Sequence, residues 1–152
     1  MIFARVRFVI ALVAFMGWLG WLAMAVAQKG KTVVISRAQL TAATQLIVAE
    51  VAVGNDGLPN SMATVSETIR GEPIPSGTII EVLNLRAAMP PGTKGSVTAG
   101  SYLLPVIGDG RTYRIAGLPR SPGYEASDPT VPVIYVWDIN TKAQLRKLGL
   151  MP

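Results

Sequence analysis

The chain contains neither cysteine nor histidine. The first absence excludes disulfide staples, thiolate nucleophiles and thiolate metal sites. The second removes imidazole as a general base, as a proton shuttle and as the usual ligand for zinc, copper or haem iron. Charge is scarce as well: 14 Lys and Arg against 9 Asp and Glu give a net charge of +5, and no block of like charge marks a nucleic-acid surface. Catalysis would then need a carboxylate pair, a lysine-activated serine or a metal held by oxygen ligands. None of these is laid out. The serines stand in neither a G-x-S-x-G elbow nor an S-x-x-K step, and Gly92-Thr93-Lys94-Gly95-Ser96 departs from the order and spacing of a phosphate loop. Glu125 and Asp128 lack the ligand spacing of a calcium loop and read as solvated loop acids. The expectation is a protein that is not an enzyme and takes no cofactor and no metal.

What the sequence does contain is a long hydrophobic run. Behind a short basic tail over residues 1–7, with Arg5 and Arg7, positions 8–27 read FVIALVAFMGWLGWLAMAVA without a charged side chain. As a helix at 1.5 Å per residue this stretch spans about 30 Å, which predicts a single transmembrane helix in contact with the lipid bilayer. Ala25-Val26-Ala27 before Gln28 also resembles a signal-peptidase site, so a cleaved, secreted form is the structural alternative. Lys29, Lys31 and Arg37 nearly balance Arg5 and Arg7 across the run. The secretory character of the leader nevertheless points to a cell inner membrane, with the following domain on the periplasmic, extracytoplasmic side.

Within the run, Trp18 and Trp21 share one helix face, and Trp18 lies near mid-span instead of at the headgroup belt. Gly17, Gly20, Ala23 and Ala27 are small enough to let another helix approach. The face reads either as ordinary lipid-facing variation or as a packing surface for the helices of a partner.

After a linker over 28–31, residues 32–152 read as one β-rich soluble domain. Strands are expected over 45–53 (QLIVAEVAV), 62–70 (MATVSETIR), 78–85 (TIIEVLNL) and 133–137, and a hairpin joins 101–107 to 111–116 through Gly108-Asp109-Gly110. Residues 32–35 fit either a strand or a tether. Asp138 or Asn140 can cap a short C-terminal helix ending at Gly149. The fold class predicted is one transmembrane helix followed by a small all-β domain of five to six strands, an OB-like barrel or a sandwich, with that helix at its end.

The segments "IVAEV", "ETIRG", "TIIEV" and "GSYLLPV" give 44–117 a resemblance to the OB-like barrels of the netrin-like and metalloproteinase-inhibitor type. The resemblance implies a fold. It does not carry over inhibition, because those inhibitors depend on cysteines, one of which contacts the target's metal. Barrels of this kind often bind single strands through aromatic and basic residues, and Tyr102, Arg111, Tyr113 and Arg114 form such a mixture. Alternation divides them between two faces, so no nucleic-acid partner is expected.

The segment 117–132 (GLPRSPGYEASDPTVP) is long for a connection in so small a domain, and Arg120, Pro122 and Tyr124 are its best protein-contact candidates. Together these features point to an accessory subunit of a larger membrane protein complex, respiratory or photosynthetic. The helix and the 117–132 loop would engage the other subunits. A free-standing anchored module that binds a ligand or protein is the alternative.

Overall fold

The computed structural model describes residues 2–29, 34–91, 96–108, 110–117 and 131–151. The chain divides into two units, Met1–Thr32 and Val33–Pro152. The first holds one helix, α1 (Ile2–Lys29). Its continuous run of described side chains, 10–26, rises about 25 Å, short of the ~30 Å hydrocarbon core. Among the described residues no helix is long and apolar enough to cross a membrane. The span expected over 8–27 thus depends on side chains at its two ends that lie outside the described ones.

The second unit is built on six strands: β1 (Gln45–Val53), β2 (Pro59–Arg70), β3 (Ile79–Val82), β4 (Gly100–Gly108), β5 (Thr112–Ile115) and β6 (Tyr135–Val136). They are ordered β1-β2-β3-β5-β4-β6, and an additional β1–β4 pairing closes the first five into a barrel. All barrel pairings are antiparallel except β3 with β5. This closed five-stranded mixed barrel has the OB-like form expected, and closure leaves no free edge among the five. Register shifts between Leu46 and Ile47, Val48 and Ala49, and Val51 and Val53 add the bends that curl β1 and β2 around so small a radius.

Two cores explain the sequence pattern. Ile47, Ala49 and Val51 of β1 join Ala63, Val65, Val82, Tyr102, Leu104, Tyr113 and Ile115 inside the barrel. Leu46 and Val48, on the opposite face of β1, pack outward with Leu103, Leu40, Tyr135 and Leu145. The first strand is therefore buried on both sides, which is why it reads as an almost unbroken apolar run. Strands β3 and β5, buried on one side only, alternate.

The outer core is covered by α2 (Arg37–Ala42), by β6 and by α3 (Ile139–Lys147). The first of these was not anticipated, although Ser36-x-x-Gln39 carries the spacing of a capping box. Ser36 Oγ accepts the Gln39 N–H at 3.3 Å. The Gln39 side chain does not fold back on the cap. It is fully buried and donates to the carbonyls of Ala116 (2.8 Å) and Val133 (2.9 Å), while its Oε1 accepts the Tyr135 hydroxyl at 2.7 Å. The Tyr135 oxygen in turn accepts the Ser36 N–H at 3.1 Å. One satisfied polar network thus ties α2, the end of β5 and β6 together. Burial raises the Tyr135 hydroxyl above its ordinary pKa, against the lowering effect of the Ser36 N–H.

Several boundaries differ from expectation for local reasons. Strand β3 stops at Val82, and a 3-10 turn occupies Leu85–Ala87. Between the two, the Asn84 carboxamide takes over the ladder, accepting the Ile115 N–H at 2.7 Å and donating to its carbonyl at 3.2 Å. Residues 34–36 are neither helix nor strand, so 32–35 is no strand over the part that is described. The C-terminal helix begins as expected: Asp138 caps α3 by accepting the Thr141 N–H at 2.8 Å, and that bond lowers the carboxyl's pKa.

Candidate functional site

The described side chains of α1 are exposed, apart from the half-buried Leu22 and Ala25. Trp18 is 56% and Trp21 66% exposed, and Phe15 lies against Trp18 with ring centroids 6.4 Å apart. Gly17 and Gly20 have open space where a side chain would stand, and Ala23 is exposed. Five of the six helix-packing candidates, Gly17, Trp18, Gly20, Trp21 and Ala23, thus belong to an exposed apolar surface. Ala27 is helical, and its side chain lies outside the described set.

A second candidate was not singled out from sequence. At the end of the barrel where β1 begins, the β2–β3 connection and the β4–β5 hairpin flank a cleft of about 450 Å³. Glu72, Pro73, Ile74 and Pro75 line it from the first, Gly110, Arg111 and Tyr113 from the second, and Gln45 and Ile79 from the strands. Gln45 is only 7% exposed, yet its Oε1 has no hydrogen-bond partner among the described residues. An unsatisfied buried acceptor costs about 1–3 kcal/mol, which a donor arriving from a ligand would recover. Gly71 closes over this side chain with φ +104°, and a Cβ there would stand 2.6 Å from Gln45 Cγ. Glycine is required on both counts. The Gly71-Glu72-Pro73 break was legible as a connection, whereas the orphaned acceptor depends on tertiary contacts and left no mark in the sequence.

The remaining sequence candidates fall in different places. Tyr102 and Tyr113 are 3% and 2% exposed inside the barrel and offer no stacking platform, while Arg111 and Arg114 are exposed. Arg120, Pro122 and Tyr124, with Glu125 and Asp128, lie outside the described residues, as do Lys94 and most of its glycine-rich neighbourhood. Among the described residues no group of three or more acidic side chains is placed to hold a metal ion. An ion pair between Arg86 and Asp56, at 2.5 Å, is half-exposed. Asp56 is held below the usual carboxylate range by the Leu58 N–H and by Arg86. Comparison of the chain with protein-family models, with curated proteins and with solved structures finds no match.

Proposed function

We propose that this chain is a non-catalytic accessory subunit of a larger membrane protein complex, held at a cell inner membrane by α1 with its barrel on the extracytoplasmic side. The observation that carries the reading is the apolar surface of α1, where tryptophan, leucine, valine and phenylalanine side chains stand exposed on every side. Each would gain about 1.5–3 kcal/mol from removal from water, so the helix calls for a bilayer, for partner helices or for both. The apolar run over 8–27, including the end residues outside the described set, is long enough to span. Small residues beside the tryptophans favour close approach by another helix. The lack of histidine and cysteine supports a binding role over a catalytic one. A kinship with netrin-like barrels beyond the fold would imply protein contacts, without the metal-directed inhibition that needs cysteine.

The test is mild-detergent extraction of native membranes, size fractionation and mass spectrometry of the fractions, reading the N-terminus of this chain. The intact Met1 form is expected in a stoichiometric large assembly, from which Trp18→Leu/Trp21→Leu releases it. A chain that migrates alone, or that begins at Gln28, would sink the proposal.

A second reading, an anchored binding module, is favoured by the Gln45 cleft. In that case the tryptophan replacements leave ligand capture intact and Gln45→Ala abolishes it.

A further inference from the structure

Acidic residues are scarce on one layer of the Val33–Pro152 unit. The outer layer formed by α2 and α3 carries Arg37, Lys142, Arg146 and Lys147 against Asp138 alone, which caps α3. The other acidic residues among the described ones, Glu50, Asp56, Glu67, Glu72 and Glu81, lie on the barrel strands or the loops that join them. Arg37 and Lys147 are both exposed and form no ion pair among the described residues. Between them lies a shallow apolar depression of about 310 Å³, floored by Ile35 and Leu148 and bordered by Val34, which is 77% exposed. An apolar hollow rimmed by cations matches the junction of an anionic headgroup with the first carbons of its acyl chains. Only residues 30–33 separate Lys29 from Val34, a stretch that spans at most about 18 Å when extended.

We propose that this face, centred on Val34, Arg37 and Lys147, docks on anionic phospholipid headgroups at the surface of the membrane that holds α1. The proposal rests on the membrane-anchored reading of α1 and adds that the barrel unit lies down on the lipid by its basic layer. Each basic residue brought within a Debye length of an anionic surface favours the docked state about fivefold, and salt weakens this.

The chain has no cysteine, so Val34→Cys gives the full-length protein a single site for an environment-sensitive fluorophore. The labelled protein is reconstituted into phosphatidylcholine vesicles, with or without about one-third phosphatidylglycerol. With the anionic lipid, the emission shifts to the blue and an aqueous quencher loses access. Raising the salt to about 0.5 M reverses both effects. Arg37→Gln/Lys147→Gln lowers the docked-to-free ratio about 25-fold, by two fivefold steps. Emission and quenching that are the same in both vesicle types, with the chain resisting alkaline extraction, would overturn the docking proposal and leave the anchor standing. Alkaline extraction of the chain from both vesicle types would overturn anchor and docking together. A blue shift equal in neutral and anionic vesicles would assign the face to a non-electrostatic contact and refute the headgroup.

Discussion

Replacing Tyr135 by phenylalanine removes one oxygen atom and breaks two of the bonds that hold the outer layer to the barrel. The hydroxyl donates to Gln39 Oε1 at 2.7 Å and accepts the Ser36 N–H at 3.1 Å, and both Gln39 and Tyr135 are 1% exposed or less. The ring keeps its packing, so the cost is that of leaving a buried acceptor unpaired, about 2 kcal/mol, with the half-exposed Ser36 N–H able to turn to water. In a unit of this size that cost lowers Tm by about 8 °C and the urea midpoint by about 1 M. Trp137 is the one tryptophan in residues 33–152 and packs against the outer core, so its fluorescence follows the transition.

Gln39→Met costs more, because the Ala116 and Val133 carbonyls both lose their donor. The double variant should fall short of the sum of the two singles by about 1–2 kcal/mol, since each breaks the same bond. The raised Tyr135 pKa adds a pH signature. A raised folded-state pKa means that the stabilisation is complete below the ordinary tyrosine value near 10. It is lost as pH rises through the folded value, so the wild type weakens above pH ~10 and Tyr135→Phe lacks this alkaline limb. A loss below about 0.5 kcal/mol, or fully additive singles, would refute the idea that this network secures the outer layer.

At the hairpin, Gly108→Ala places a methyl 2.5 Å from the Thr112 carbonyl oxygen and from Tyr113 Cδ1, so the two strands must separate. A loss of about 3 kcal/mol is expected by urea titration, and unchanged stability would show that the turn has room. Asp138→Ala should cost about 1 kcal/mol as the α3 cap is lost. Because the Thr141 N–H lowers the Asp138 pKa, its contribution is complete above the ordinary carboxylate range and lost as pH falls through the lowered value. The variant's penalty should therefore shrink in acid, and a penalty that does not change with pH would count against the charged cap.

Strand-level structure was legible wherever a local pattern forced it. The nine residues of β1 match the expected 45–53, and β4 and β5 pair antiparallel as the expected hairpin, with Gly110 at φ +92° and Gly108 still within β4. Strand β2 runs three residues beyond its expected start at Met62, back to Pro59, because its partner Val53 extends the ladder past the point where alternation is visible. Helix α2 was missed because a six-residue helix has too little periodicity to register. Its capping spacing was the available signal.

By itself the sequence determined the apolar N-terminal run, the exclusion of thiol and imidazole chemistry, and the sites of most strands and turns, because these depend on composition, hydrophobic period and backbone stereochemistry within a few residues. Only the tertiary structure decided that β1 and β4 close the barrel, that Gln39 is a buried linchpin while Gln45 is left with an open acceptor, and that basic residues from two distant segments gather on one layer. These outcomes depend on contacts between residues far apart in the chain, such as Val51 with Gly100, Gln39 with Ala116 and Ile35 with Gln144, and no local pattern encodes them.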